Sequence, residues 1–465
     1  MNKAKPILAA AALSLGVLYL GFGVDRRDFW SLFLAFALAF SAYLALLYRP
    51  AAERLPWLIG LGIVLRVALV FAFPRLSDDV YRFIWDGSLV ASGHNPFAHL
   101  PAHYLLPENS VAGLTPELFA LLNSPEYYTI YPPVAQGVFT LAAWLSPGSW
   151  YGAAVVMKLF LLACELGTLW VFWRLLQGGA KTQVLASVPP GEEQGKSDKT
   201  PWPPTNLLLY WLNPLILIEI MGNLHFEGAM VFFLLLAYYL LRQHRWVAAA
   251  AGMAASVASK LLPLLLLPYL IRRLWGRPFW VFSVAFGGAC LLFFAPMLLA
   301  GFPAGFGDSL DLYFRKFEFN ASLYYLARAY GYYEIGWNQI ARFGPLLAKA
   351  AAAGILLLAL LDRRRDWNTL PAGWLMAFVL YLLCATTVHP WYLSVPIALC
   401  CFTRWRFPLL WSFLIMLTYT NYVTVPYAEN LWLVGVEYVA VAVFAGAEWW
   451  RYSVKNAKAG RRESD

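Results

Sequence analysis

The sequence predicts an all-α polytopic membrane protein, a bundle of about 11–14 membrane segments with a long polar loop early in the chain. Three observations carry this. Hydrophobic residues make up 61% of the 465 residues and charged residues only 13%, where a soluble domain carries roughly a quarter charged. Apolar runs of roughly 20 residues, long enough to cross a hydrocarbon core of about 30 Å, recur from end to end. Basic residues sit in the breaks between those runs: Lys3 and Lys5, Arg49 and Arg54, Arg242 and Arg245, Arg272, Arg273 and Arg277, Arg363 to Arg365, Arg404 and Arg406. That is the positive-inside pattern of cytoplasmic loops. The net charge of +9 is thereby a topology signal. The expected partner is the lipid bilayer, and nucleic acid is not.

Residues 1–73 hold three spans, near 6–23, 29–48 and 55–73. The first reads as a retained anchor, because "GFGVDRRDFW" offers no small-residue cleavage site. Residues 74–130 form a long external loop. Its segments "DDVYRFIWDGSLVASG" and "TPELFALLNSP" have amphipathic helical spacing and should lie along the membrane surface. Two apolar runs fill 131–177, but only one can be a full span if the next segment is cytoplasmic. That segment, 178–205, is rich in Pro, Gly, Lys and Glu and reads as a flexible linker. A C-terminal bundle occupies 206–450.

Within that bundle, "RQHRW" and "RRLWGR" flank 247–271 and both belong inside. The stretch between them must therefore be two shorter helices turning at "SKLLP", 259–263, which places Lys260 outside. Spans near 279–300, 338–361, 371–388, 391–403, 407–421 and 431–450 follow. They leave 222–228, 301–337 and 387–392 outside and a basic cytoplasmic tail over 451–465. All five cysteines fall in apolar runs without metal-ligand spacing, so neither a disulfide framework nor a zinc site is implied.

Polar residues gather on the outer face: Asp78, Asp79, Arg82, Asp86, His225, Glu227, Lys260, Arg315 and His389. Ionisable groups at membrane depth are costly and are functional candidates by default. Most have a structural alternative. His225 and Glu227 can cap a turn, Lys260 can snorkel, Arg315 can be a surface charge and His389 can end a helix. Asp78 and Asp79 differ, since adjacent acids at the exit of a hydrophobic helix repel each other for no structural gain. His94, His99 and His103 are interrupted by two prolines and lack a carboxylate in step, which argues against a metal site.

The stretch "SDDVYRFIWDGSLVASGHNPF", followed by "YTIYPPVAQ", resembles the first external loop of GT-C glycosyltransferases. The likeness is to the branch holding bacterial polyprenol-phosphate-mannose-dependent mannosyltransferases and the first mannosyltransferase of GPI-anchor synthesis. The acidic motif of that branch falls on Asp78 and Asp79, its tyrosine on Tyr81 and its later acid on Asp86. The Gly-x-(Asn/Ser)-Pro-aromatic element falls on Gly93 to Phe97, with Asn95 inside it, and the Tyr-Pro-Pro element on Tyr131 to Pro133. "LNPLILIEIMGNLHFEG", "ASKLLPLLLLP" and "HPWYL" are similar to further elements, so the likeness covers most of 75–395. Eukaryotic relatives carry Asp-x-Asp where this chain has Asp-Asp-Val, which leaves the catalytic acid open between Asp78 and Asp79.

The resemblance implies a GT-C-type bundle that transfers a sugar, mannose in this branch, from a polyprenyl-phosphate donor. The acceptor would be a hydroxyl of a glycolipid, glycan or protein at the outer face of a bacterial inner membrane. Chemistry leads to the same place. Outside that membrane there are no nucleotide sugars, so the donor must cross on a lipid. An inverting transfer needs one carboxylate to take the acceptor proton, and an aspartate near its usual pKa of ~4 is ionised at pH 7. The departing phosphate needs cations, for which Arg82, Lys260 and Arg315 are candidates. Asp86 would orient the arginine or bind sugar hydroxyls, and Tyr81 and Trp85 would offer flat surfaces. Asn95, Tyr131, His225, Glu227 and His389 complete the expected substrate-binding set. Some members of the family bind a divalent cation, Mg or Mn, near the acidic motif and many work without one; the residues leave both open. A secondary transporter or flippase would show two halves of similar hydropathy, and a lipid-linked glycan polymerase or ligase would carry its large loop late. Neither pattern is present.

Overall fold

A computed structural model describes residues 4–48, 52–177, 202–299, 317–424 and 427–462. The described residues form helices and no strand. The first three apolar runs are α1 (Ala4–Phe22), α2 (Phe29–Leu47) and α3 (Leu55–Val70). The polar loop carries α4 (Asp79–Ala91) and the short α5 (Pro116–Ala120), and is followed by α6 (Pro133–Leu145) and α7 (Trp150–Gln177). Beyond the linker come α8 (Leu208–Trp211) and α9 (Pro214–Ile216), which continues as a π-helical turn over Leu217–Gly222. Next are α10 (Glu227–Arg242), α11 (Trp246–Ser259) and α12 (Arg277–Leu299). The chain closes with α13 (Leu323–Ile335), α14 (Ile340–Leu361), α15 (Leu370–Cys384), α16 (Ser394–Cys400), α17 (Phe407–Leu414) and α18 (Leu431–Arg462).

Among the described residues seven helices are long and apolar enough to cross a membrane, or eight if the bent pair Pro204–Trp211 and Pro214–Gly222 counts as one span. The chain is a polytopic helical membrane protein. Several expected spans are short helices, among them Leu55–Val70, Trp246–Ser259 and Pro390–Cys400. The segment from 451, expected as a tail, continues α18 without a break to Arg462. The linker over 178–201 lies outside the described residues.

In the 131–177 pair, α6 is the short member. Its 13 residues reach only about 20 Å at 1.5 Å per residue. Tyr131, just before α6, packs its ring on Phe83 of α4 at 4.8 Å, and Trp150, just after it, packs on Tyr81 of α4 at 5.8 Å. Helix α6 therefore packs alongside α4. The two helices touch backbone to backbone: a Cβ on Gly87 would sit 2.3 Å from the Phe139 carbonyl oxygen.

The turn in 247–271 is equally plain. Helix α11 ends at Ser259, Lys260 is extended, and the chain returns as a 3-10 helix over Leu262–Leu270. Pro263 and Pro268 cannot donate the hydrogen bonds of a continuing α-helix.

Buried charges hold the breaks. The helix interruption after α8 frees the Trp211 carbonyl, and a freed carbonyl inside a bilayer needs a donor. Arg66 supplies it at 2.8 Å, while its Nε donates to Glu165 at 2.9 Å and its guanidinium lies 3.6 Å over the Trp211 ring. Tyr210 adds a hydroxyl to Glu165 at 2.7 Å. Lys158 of α7 plays the same part at the far end of α3, donating to the carbonyls of Leu69 at 3.1 Å, Gly222 at 2.8 Å and Ala72. These bonds set where the chain emerges at 71–79 and 222–227, and hence where the polar cluster forms.

Candidate active site

Asp78 and Asp79 stand together at the start of α4 but face different partners. Asp78, in the N-cap position, makes a 2.5 Å ion pair with Arg26 of the α1–α2 loop, and Arg26 lies over the Tyr422 ring. Asp79 turns the other way. Its Oδ1 accepts from Asn123 Nδ2 at 2.6 Å, and its Oδ2 is 3.9 Å from His225 Nε2. Burial pushes the Asp79 carboxyl above the usual aspartate value, against the opposing pull of His225, the Asn123 hydrogen bond and Lys260.

The turn between the π-helical segment and α10 brings in His225. Leu224 has φ +67°, a left-handed conformation that costs a leucine energy and reverses the chain tightly. His225 Nδ1 lies 2.9 Å from the Glu219 carbonyl oxygen and 3.2 Å from its carboxylate Oε2. The imidazole stacks on Trp391 at 3.7 Å, and His389 stacks on Trp391 at 4.4 Å. Two residues on, Glu227 pairs with Lys260, whose ammonium lies 4.6 Å from the centre of the Tyr392 ring. Burial, together with Lys260 and His225, pushes His389 down to about 3, so it is neutral at physiological pH. Asn223 ties the two loops together, accepting from the Leu76 N–H at 3.2 Å and donating to Glu219 at 3.2 Å.

The structure thus brings together Asp78, Asp79, His225, Glu227, Lys260 and His389, from stretches of chain far apart in sequence. Other expected site residues lie elsewhere. Arg82, expected to face phosphate, is buried and directed into the protein: it donates to Asp86 at 2.8 Å and to the carbonyls of Ser124 at 3.1 Å and Tyr127 at 3.0 Å. It fixes the loop that carries Asn123. Asp86 is fully buried between Arg82 and Gln136, so of its two expected roles the geometry fits the orientation of the arginine and not contact with a sugar. Trp85 has no exposed face and packs near Phe119. Tyr81 and Tyr131 stay at the edge of the cluster: Tyr81 is half-buried between Phe73 and Trp150, close enough to Asp78 and Arg26 to feel their charge, and Tyr131 packs against Phe83 and Phe139, within electrostatic reach of Asp79 and Glu227. Asn95 shapes its own turn by accepting from the Phe97 N–H at 3.0 Å, and Phe97 packs with Leu261, next to Lys260. Arg315 lies outside the described residues.

Four participants escaped the sequence reading: Arg26, Asn123, Glu219 and Trp391. Glu219 carried a usable signal, as a lone acid in the apolar run "LILIEIMG". Arg26 and Asn123 look like ordinary loop residues until folding pairs them. As for a metal, no three His, Cys, Asp or Glu side chains among the described residues converge to hold one. The acids are shared out among Arg26, His225 and Lys260 instead. His99 and His103 stack ring on ring at 3.8 Å and do not splay around a common point.

The family model described as Glycosyltransferase family 87 matches residues 128–390, more than half of the chain. That stretch contains His225, Glu227, Lys260 and His389, and begins after Asp78 and Asp79. The chain is also similar to Alpha-(1->6)-mannopyranosyltransferase B of Corynebacterium glutamicum, at 25% identity over 167 residues. The similar stretch is 36% of this chain and 24% of that relative, so the chain spans about a quarter of the relative's length.

Proposed function

Since the chain belongs to glycosyltransferase family 87, and so is a membrane glycosyltransferase of the GT-C type, we propose that it moves mannose from a polyprenyl-phosphate donor onto an acceptor hydroxyl. Transfer takes place at the outer face of a bacterial inner membrane, with inversion and with Asp79 as base. The observation that carries this reading is the setting of Asp79. It is a partly buried carboxylate at the rim of the cluster, its carboxyl held high by burial, with Lys260 close enough to pull against that rise. A base needs a proton affinity near the working pH, and burial moves Asp79 toward it.

In this mechanism the acceptor oxygen attacks the anomeric carbon from the side opposite the phosphate while Asp79 takes its proton. The bond from carbon to phosphate oxygen breaks with its electron pair, leaving a lipid phosphate whose new charge meets Lys260. Glu227 engages the Lys260 ammonium and keeps it at the site, and an ammonium has three donors to share. Arg26, partly exposed beside Asp78, takes the phosphate role first assigned to Arg82. Trp391, stacked between His225 and His389, and Tyr392, beneath Lys260, frame the cluster.

The placement of charge supports the outer face. The end of the bundle opposite the cluster carries Arg242, Arg245, Arg273 with Asp362, Arg364, Arg404 and Arg406, and an end so rich in arginine belongs to the cytoplasm. The reading is tested with the purified protein in nanodiscs, given polyprenyl-phosphate [14C]mannose and a bacterial glycolipid extract. Label should pass to glycolipid, and the anomeric configuration of the product should be opposite to that of the donor. Transfer from a nucleotide-activated mannose, with none from the lipid donor, contradicts the proposed donor.

A further inference from the structure

Glu219 has no place in the mechanism above. It is fully buried, one turn behind the cluster, and a buried carboxylate persists only if its neighbours hold it. Its neighbours are Tyr419, which donates at 3.0 Å, Asn223 at 3.2 Å, and His225. Both the backbone oxygen and the carboxylate of Glu219 lie within hydrogen-bonding distance of His225 Nδ1, so that nitrogen carries its proton toward Glu219. Trp391, stacked on the imidazole at 3.7 Å, prevents the ring from turning over. The remaining nitrogen, Nε2, is buried, has no hydrogen-bond partner, and faces Asp79 Oδ2 at 3.9 Å.

We propose that Glu219 and His225 are a positioning pair for Asp79: Glu219 holds the imidazole charged and oriented, and the imidazolium keeps the partly buried aspartate ionised until it meets the acceptor proton. The inference rests on Asp79 being the base. His225 touches no reacting atom in this scheme and acts through Asp79.

The charges around His225 favour this state. Glu219 faces it from the π-helical segment, Asp79 from α4 and Glu227 from its own turn. On the opposing side are His389, neutral beyond Trp391, and Lys260, which acts on both His389 and Asp79. Burial alone would depress the histidine, but Glu219, Asp79 and Glu227 outweigh it and its pKa rises above the ordinary value. The sign of the effect on catalysis follows. An imidazolium beside Asp79 lowers the pH at which Asp79 loses its proton. Removing that charge therefore moves the acid limb of the rate profile upward.

Two readouts test the pair. The first follows ring-15N-histidine signals of the full-length protein in nanodiscs through a pH titration. One histidine should titrate above about 6.5, the ordinary value. Its midpoint should fall by about one unit or more in Asp79→Asn and in Glu219→Gln, as expected when an opposite charge within 4–6 Å is lost. A histidine midpoint unmoved by either substitution overturns the pair. The second readout is the pH profile of kcat/KM for mannose transfer from polyprenyl-phosphate mannose. In His225→Asn the acid limb should shift up by about one unit, so the loss is greatest at low pH and shrinks as pH rises. A uniform loss at every pH, with the limb in place, reduces His225 to packing and overturns the inference while leaving Asp79 as base. If His225→Asn does not fold, His225→Gln carries the same comparison. Absence of transfer from the lipid donor in the wild type contradicts the proposed function, and the titration still decides the pair.

Discussion

Asp79→Asn is expected to lower sugar transfer by about 10²–10⁴-fold, the usual contribution of general-base catalysis, with the fold and donor affinity nearly unchanged. Asparagine has the shape of aspartate, and its amide oxygen can still accept from Asn123, which now bonds Asp79 at 2.6 Å. What it cannot do is take a proton. In the proposed mechanism donor binding rests on the lipid chain and the cations, and so survives. The adjacent substitution is the control. Asp78→Asn removes an ion pair with Arg26 whose side chains are 25% and 36% exposed, and such pairs contribute only about 0–1 kcal/mol. Its cost should be a few-fold, through a less well held Arg26. Initial rates and donor affinity for both variants in nanodiscs measure this. A larger loss in Asp78→Asn exchanges the roles of the two acids, and near wild-type turnover in both removes this loop from the chemistry.

Lys260→Met should weaken donor binding by roughly 10- to 100-fold, the value of a hydrogen bond to a charged group at about 1.5–3 kcal/mol. The single substitution also strands Glu227, which is only 2% exposed and relies on Lys260 as its ion-pair partner. Breaking a buried pair from one side costs about 3–5 kcal/mol, less here because the Lys260 side chain is 29% exposed. Stability and binding would then fall together and could not be separated. Lys260→Met combined with Glu227→Gln removes both charges, so it should recover the melting temperature but not the donor affinity. Recovery of affinity in the double variant would mean that Lys260 serves Glu227 and not phosphate. Lys260→Arg keeps the charge with a different geometry and should retain part of the binding.

Much of the bundle can be read from hydrophobic length and basic punctuation alone. The turn at Lys260 is an example: two basic clusters read as lying on the same side cannot be joined by one span, and Pro263 marks where the chain breaks. The disposition of α6 is not readable in that way. A 13-residue apolar run does not reveal its packing partner, and the backbone approach of Gly87 to Phe139 appears only in the fold. The site divides along similar lines. Asp79, His225, Glu227, Lys260 and His389 stand out as polar residues where apolar ones are expected. Arg82, Trp85 and Asp86 stand out equally, yet the structure buries them. Which side of α4 is covered depends on the loop over 122–129, whose carbonyls Arg82 satisfies, and nothing in the local pattern of α4 encodes that loop. Arg26, 52 residues before Asp78 in the chain, pairs with it only after folding. Glu219 is the opposite case, a single acid in an apolar run that stands out in the sequence itself.

The most direct measurement is a cryo-EM structure of the Asp79→Asn protein in nanodiscs with polyprenyl-phosphate mannose bound. The phosphate should lie in contact with Lys260 and near Arg26, with the face of the anomeric carbon opposite the phosphate turned toward residue 79. A sugar phosphate seated elsewhere, for instance in the apolar cleft between Phe29 and Trp432 on the flank of α2 and α18, with residue 79 out of reach of the anomeric carbon, would contradict it.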